Sequence, residues 1–216
     1  MRKILIMSVL CLAGVFLNMA IYRLFQFIGI PLYMDTVLII SITLAGGFFW
    51  GAICGVATSL IANIFDFWGW EAYLFIICNI ATAYVTWLFV RFFPRELNLA
   101  KAQNPAAAME KNSRIRNIMD KIVVLILLSF ALCISMSILG GTISTIIMIA
   151  NPPLSARSDL AGVLATTMFP KDFPLILEEI LSRIPINSID RLISAFGAYG
   201  IALPLAVLLR RLSVSG

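Results

Sequence analysis

The chain contains no histidine, and only 12% of its 216 residues are charged. Without imidazole, the commonest general base and the commonest zinc ligand are gone. The carboxylates show no paired spacing, and no nucleophile stands beside a base, so no enzyme is expected. The four cysteines, Cys11, Cys54, Cys78 and Cys133, all fall in apolar stretches without paired spacing. They read as buried free thiols, and neither a metal nor a cofactor is expected. A signal-peptide cleavage site is missing too. After "MRKILIMSVLCLAGVF" come large residues such as Leu17 and Met19, so this segment reads as a first membrane span. Short alternating segments of the kind that build a membrane barrel are also lacking.

What the chain has in excess is apolar sequence, at 61%. A soluble domain of this size could not bury that much. The apolar residues gather in stretches of about 20, enough to cross a hydrocarbon core of about 30 Å. Helices satisfy their own backbone hydrogen bonds there, so an all-α integral membrane protein is expected. The net charge of +5 is explained by its distribution, without nucleic acid. Arg2 and Lys3 open the chain and Arg210 and Arg211 close it. A third basic cluster runs through "RFFPRELNLAKAQNPAAAMEKNSRIRNIMDK". Basic residues in short loops stay cytoplasmic.

The run 36–65 decides the topology. As one straight helix it would be about 45 Å long, and it would put the basic segment outside. A reversal at Gly46-Gly47, where glycine supplies the backbone freedom, puts all three basic clusters inside. The expectation is a six-helix transmembrane bundle with two short helices as its second and third spans. The spans are placed at 4–25, 34–47, 49–65, 72–92, 121–150 and 186–209. The 93–120 loop and both termini then face the cytoplasm, the membrane being the cell (inner) membrane. The whole chain reads as one membrane domain. The outer segment 151–185 is expected to carry short interfacial helices. One would start at Ser158 or Asp159 and end near Phe169. Another, about ten residues long, would follow Asp172 and Pro174.

Small residues recur every four positions: Gly51, Gly55, Ser59 and Asn63; Ser129, Cys133, Ser137, Gly141 and Thr145; Ser194, Ala198, Ala202 and Ala206. Each set is one helical face suited to close packing in lipid. Polar residues collect at the outer ends of these faces. Asp190 continues the last stripe outward, with Arg191 beside it and Asn187 one turn earlier. Asn63 ends the first stripe, Asn79 lies on the fourth span, and Asp35 precedes the second. Asp35 could equally be a helix cap, and Asn79 could serve only to bond a neighbouring helix. "FDFWGWEAY" could be an interfacial belt, or its rings, Trp70 among them, could stack on a heterocycle. Ionisable groups at membrane depth point to a functional site, and the convergence of these residues favours a ligand pocket.

"IPLYMDTVLIISITLAGGFFWGAICGVATSLIANIF" resembles the second and third helices of the substrate-binding S components of energy-coupling-factor (ECF) vitamin transporters. "SIDRLISAFGAYGIALPLAVLLRR" resembles their last helix. The resemblance implies capture of a vitamin-like small molecule from outside. Delivery would then depend on a transmembrane T component and two ATPase subunits. This chain itself has no Gly-x-x-x-x-Gly-Lys-Ser/Thr phosphate loop. The resemblance also implies substrate contacts from Asp190, from Tyr33 and Asp35 in the first outer loop, and from Glu71 and Asn79. With the residues above, the candidate substrate site is Tyr33, Asp35, Asn63, Trp70, Glu71, Asn79, Asn187, Asp190, Arg191 and Ser194. The family's Ala-x-x-x-Ala docking pair is missing from the first helix, where Ala13, Gly14 and Asn18 stand in its place. The alternative function is a membrane sensor or assembly subunit whose basic 91–121 loop meets a cytoplasmic partner. No nucleic-acid partner is expected.

Overall fold

The computed structural model describes residues 2–29, 32–66, 70–97, 99, 111–150, 160–170 and 172–214. All regular structure among them is helical. The helices are α1 (Arg2–Ile28), α2 (Val37–Gly46), α3 (Phe48–Asp66), α4 (Ile76–Phe92), α5 (Lys111–Ala150), α6 (Leu160–Met168) and α7 (Leu175–Val214), with a 3-10 turn, Trp70–Phe75, leading into α4. Four stretches are long and apolar enough to cross a membrane: Ile4–Phe25, Tyr73–Phe92, Arg116–Ala150 and Leu175–Leu209. Two shorter apolar helices, Val37–Gly46 and Phe48–Ile64, lie between the first and second of these.

The chain does reverse at the paired glycines. Gly47 has φ 92°, a left-handed conformation that a side chain would strain, and its N–H closes α2 on the Thr43 carbonyl at 2.9 Å. Past the turn, α3 runs back along α2. A Cβ on Gly51 would collide with the Thr43 hydroxyl, and one on Gly55 would sit 3.1 Å from Asn79 Cβ and 3.3 Å from Ile39 Cδ1. The small-residue stripe therefore lets α3 lie close to both α2 and α4. With ten residues, α2 spans only about 15 Å. It survives by being enclosed: Val37 through Leu44 are all buried, among α1, α3, α4 and α7. A helix surrounded by protein is apolar on every side, as this one is.

The other two stripes also face inward. Ser129, Cys133, Ser137, Gly141 and Thr145 are buried, as are Ser194, Ala198, Ala202 and Ala206. α5 and α7 pack along their length. At Gly141 they come so close that a Cβ would lie 2.8 Å from the Ile180 backbone.

That contact corrects the outer segment. α6 matches the first expected short helix and packs on α7 through buried Ala161 and Ala165. The second is not a separate interfacial helix. Residues 175–185 are the beginning of α7, a 40-residue helix that passes through Pro185 and Pro204. The backbone of Ile180 rests on α5, and this packing holds the segment in line with the rest of α7. α5 likewise begins at Lys111, ahead of the expected 121.

Contacts fix which helix ends lie together. Met7 reaches Gly46 and packs in one cluster with Trp50, Leu205 and Leu209. Leu44, Leu97, Leu99, Val124 and Ala206 share a second cluster. The start of α1, the ends of α4 and α7 and the start of the apolar part of α5 are therefore at one end of the bundle. All the basic clusters of the sequence adjoin that end.

Candidate functional site

At the opposite end is a cavity of about 480 Å³. It is bounded by the outer part of α1 (Asn18, Met19, Tyr22) and by Tyr33 and Asp35 ahead of α2. α3 contributes Thr58, Ser59, Ala62 and Asn63, Phe75 comes from the turn before α4, and Cys78 and Asn79 come from the start of α4. Met136, Gly140 and Ser144 of α5 and Arg183, Asn187 and Arg191 of α7 complete it. The size is that of a small-molecule site, and the wall mixes apolar and aromatic groups with a few convergent polar ones.

The face of α7 in the wall is Arg183, Asn187 and Arg191, four residues apart. Asn187 Nδ2 donates to Ser137 Oγ at 2.9 Å, and Arg183 Nη2 donates to Ser144 Oγ at 2.6 Å, so both are held from α5. Arg183 also pairs with Glu179 at 3.5 Å and Arg191 with Asp190 at 3.2 Å. Arg191 donates to the Thr36 hydroxyl at the N-terminus of α2. On the other side, Asn79 Nδ2 donates to Ser59 Oγ at 2.7 Å and to the Gly55 carbonyl at 3.4 Å.

Four buried polar atoms of the wall have no hydrogen-bond partner: Asp35 Oδ1, Asn63 Nδ2, Arg183 Nε and Arg191 Nε. Unsatisfied polar groups at such depth are costly, and a site that takes a polar ligand is one explanation for several of them around one cavity.

Of the expected substrate residues, Tyr33, Asp35, Asn63, Asn79, Asn187 and Arg191 do border the cavity. Asp190 and Ser194 do not. They occupy the adjoining face of α7, directed at the segment before α2. Asp190 Oδ1 accepts the Met34 N–H at 2.9 Å, and Ser194 Oγ reaches Met34 Sδ at 3.7 Å. Met34 has φ 47°, an unusual conformation for a side-chain-bearing residue. Fully buried Asp190 thus anchors the backbone between Tyr33 and Asp35 and holds Arg191; it is a positioning residue. Trp70 and Glu71 lie in the 3-10 turn, and their side chains are outside the described residues.

The expected docking residues need correction as well. Gly14 is buried, and a Cβ there would sit 2.8 Å from Ile42 Cδ1 and 3.3 Å from Cys54 Sγ. Asn18 is wholly buried; its Oδ1 accepts the Leu38 N–H at 3.0 Å and its Nδ2 donates to Thr58 Oγ1 at 3.4 Å. Both face the bundle interior and offer nothing to an outside partner. Ala13 alone of the three is exposed.

Asn18 is also the missing cap of α2. Thr36 occupies the cap position but makes no side-chain cap bond, its hydroxyl being taken by Arg191. Asn18 instead supplies the acceptor from another helix. Asp35 is left free of capping and turned to the cavity.

Sequence reasoning missed Arg183 and Ser144, and it gave Asn18 another role. The signal for Arg183 was available: it lies four and eight places before Asn187 and Arg191.

No family model, no curated protein and no solved structure matches this chain.

Proposed function

We propose that the protein captures a small vitamin-like molecule from outside the cell and hands it across the membrane. The observation that carries this reading is the cavity of about 480 Å³ with four unpartnered polar atoms on three of the segments around it, at the end of the bundle away from the basic clusters. In a bilayer those clusters favour the cytoplasmic side, which turns the cavity outward. The six-span arrangement belongs to the same reading, with the α2–α3 hairpin counting as two spans sheltered by their neighbours. The likeness to S components of ECF transporters supplies the rest, namely a T component and two ATPase subunits as the source of energy. With Gly14 and Asn18 turned inward, docking would use the outer faces of the helices.

The test begins with the purified protein. Denaturing extraction and mass spectrometry are expected to recover one low-mass species in near-stoichiometric amount. It should be lost from Asn79→Ala combined with Arg191→Gln, and cells expressing that double variant should fail to take it up. No recovered species, together with unimpaired uptake and growth in the variant, would leave the sensor or assembly role instead.

A further inference from the structure

This inference rests on the capture reading and names the polar chemistry of the captured molecule. Among the described residues, the charged side chains lining the cavity are Arg183, Arg191 and Asp35. Two guanidiniums thus stand in the wall with one carboxyl group. The bonds already made show what each guanidinium has left to offer. Arg183 gives Nη2 to Ser144 Oγ at 2.6 Å and to Glu179 at 3.5 Å. Arg191 gives Nη1 to the Thr36 hydroxyl and holds Asp190 through Nη2 at 3.2 Å. These contacts all use the terminal nitrogens. In both arginines the remaining Nε–H, next to the aliphatic stem, is buried and has no partner. Asn63 Nδ2 of α3 is a third donor in the same condition. Asp35 Oδ1 is the one acceptor among the four unpartnered atoms of the wall.

A guanidinium has donors and no acceptor, so only an acceptor can satisfy either Nε–H. Water filling the cavity before binding can meet these donors. A ligand that displaces the water must bring acceptors in its place or lose affinity. A ligand whose polar group only donates, such as an ammonium or amidinium, would leave the three donors unmet and set its own charge beside two guanidiniums. Other parts of the wall suit a flat ring: Tyr22, Tyr33 and Phe75 supply aromatic faces and edges, and Met19 and Met136 supply polarisable sulfur.

We propose that the cavity takes an aromatic small molecule bearing acceptor oxygens, carbonyl or carboxylate. The oxygens meet the Nε–H groups of Arg183 and Arg191 and the amide of Asn63, and the ring lies among Tyr22, Tyr33 and Phe75. Molecules whose polar group is a donor alone are selected against.

Benzoate, benzamide and benzamidine share one shape and differ in this respect, benzamidine being the donor-only member. Each is titrated by ligand-observed NMR against the full-length protein in phosphatidylcholine nanodiscs, with protein-free nanodiscs as the blank. Benzoate and benzamide should both bind about tenfold or more tighter than benzamidine. The order of those two tells whether the preferred oxygen is charged. Arg183→Lys and Arg191→Lys keep a cation opposite Glu179 and Asp190 and remove the Nε–H. At least one of them should weaken benzoate and benzamide by about fivefold or more and change benzamidine by about twofold at most. Benzamidine binding as tightly as the other two overturns the inference, as do benzoate and benzamide binding that ignores both variants and failure of all three probes to bind. The capture reading is decided separately, by recovery of a small molecule on extraction, and survives each of these results.

Discussion

Asp190 shows how a residue in the right place can have a different task from the expected one. Its carboxylate takes the Met34 N–H with one oxygen and faces Arg191 with the other. Asp190→Ala would leave a buried guanidinium without its counter-charge and a buried N–H without an acceptor. Breaking such a pair costs about 3–5 kcal/mol. Asp190→Asn keeps an acceptor for Met34 and loses only the charge, so it should be the milder change. Denaturant unfolding in mixed micelles should rank wild type above Asp190→Asn above Asp190→Ala. Equal stability of wild type and Asp190→Ala would refute the anchoring role. The sequence placed Asp190 on an inner face because it continues the Ser194–Ala206 stripe. It could not show that the adjoining face, with Arg183, Asn187 and Arg191, is the one bordering the cavity. That depends on the rotation of α7 against α2 and α5, which small residues permit but do not encode.

At the scale of elements, the legible features were those with local causes. The Gly46-Gly47 reversal follows from backbone freedom, and the start of α6 follows from the end of a Pro- and Ser-containing segment. The illegible ones were made by partners. α2 is capped by Asn18 of α1, far away in sequence, so its own first residues gave a misleading cap signal at Asp35. Likewise the beginning of α7 looked amphipathic and separable, yet it is held against α5 by the absence of a side chain at Gly141. Gly141→Ala should therefore force α5 and α7 apart, because the Cβ meets Ile180 backbone that cannot rotate away. A loss of about 1–3 kcal/mol is expected. Gly200→Ala, also within α7, has nothing within 4 Å of its Cβ. It should be neutral or stabilising by up to about 1 kcal/mol through helix propensity. Paired melts of the two variants check this. Similar losses in both would mean that the α5–α7 crossing is not set by close approach.

For the whole molecule, orientation ties the cavity to its use. The packing of Met7, Gly46, Leu97, Val124 and Ala206 near one end brings the basic segments together there, and the cavity lies at the other end. One pass more or fewer would separate the clusters, with some on each side of the bilayer, and the charge asymmetry would work against insertion. Under the proposed six-span arrangement, with the glycine reversal counted as a change of side, every cluster would be cytoplasmic and Tyr33, Asn63 and Arg183 would approach the outside. The expected result is that an impermeant amine-reactive label leaves Lys101 unmodified in intact cells and modifies it once the membrane is opened. A cysteine placed at Tyr33, in a chain with the four native cysteines replaced by serine or alanine, should react from outside without permeabilisation. Protection of that cysteine by the extracted ligand would link accessibility to occupancy of the cavity. Labelling of Lys101 in intact cells would turn the cavity to the cytoplasm. Capture from outside would then be impossible, whatever the cavity binds.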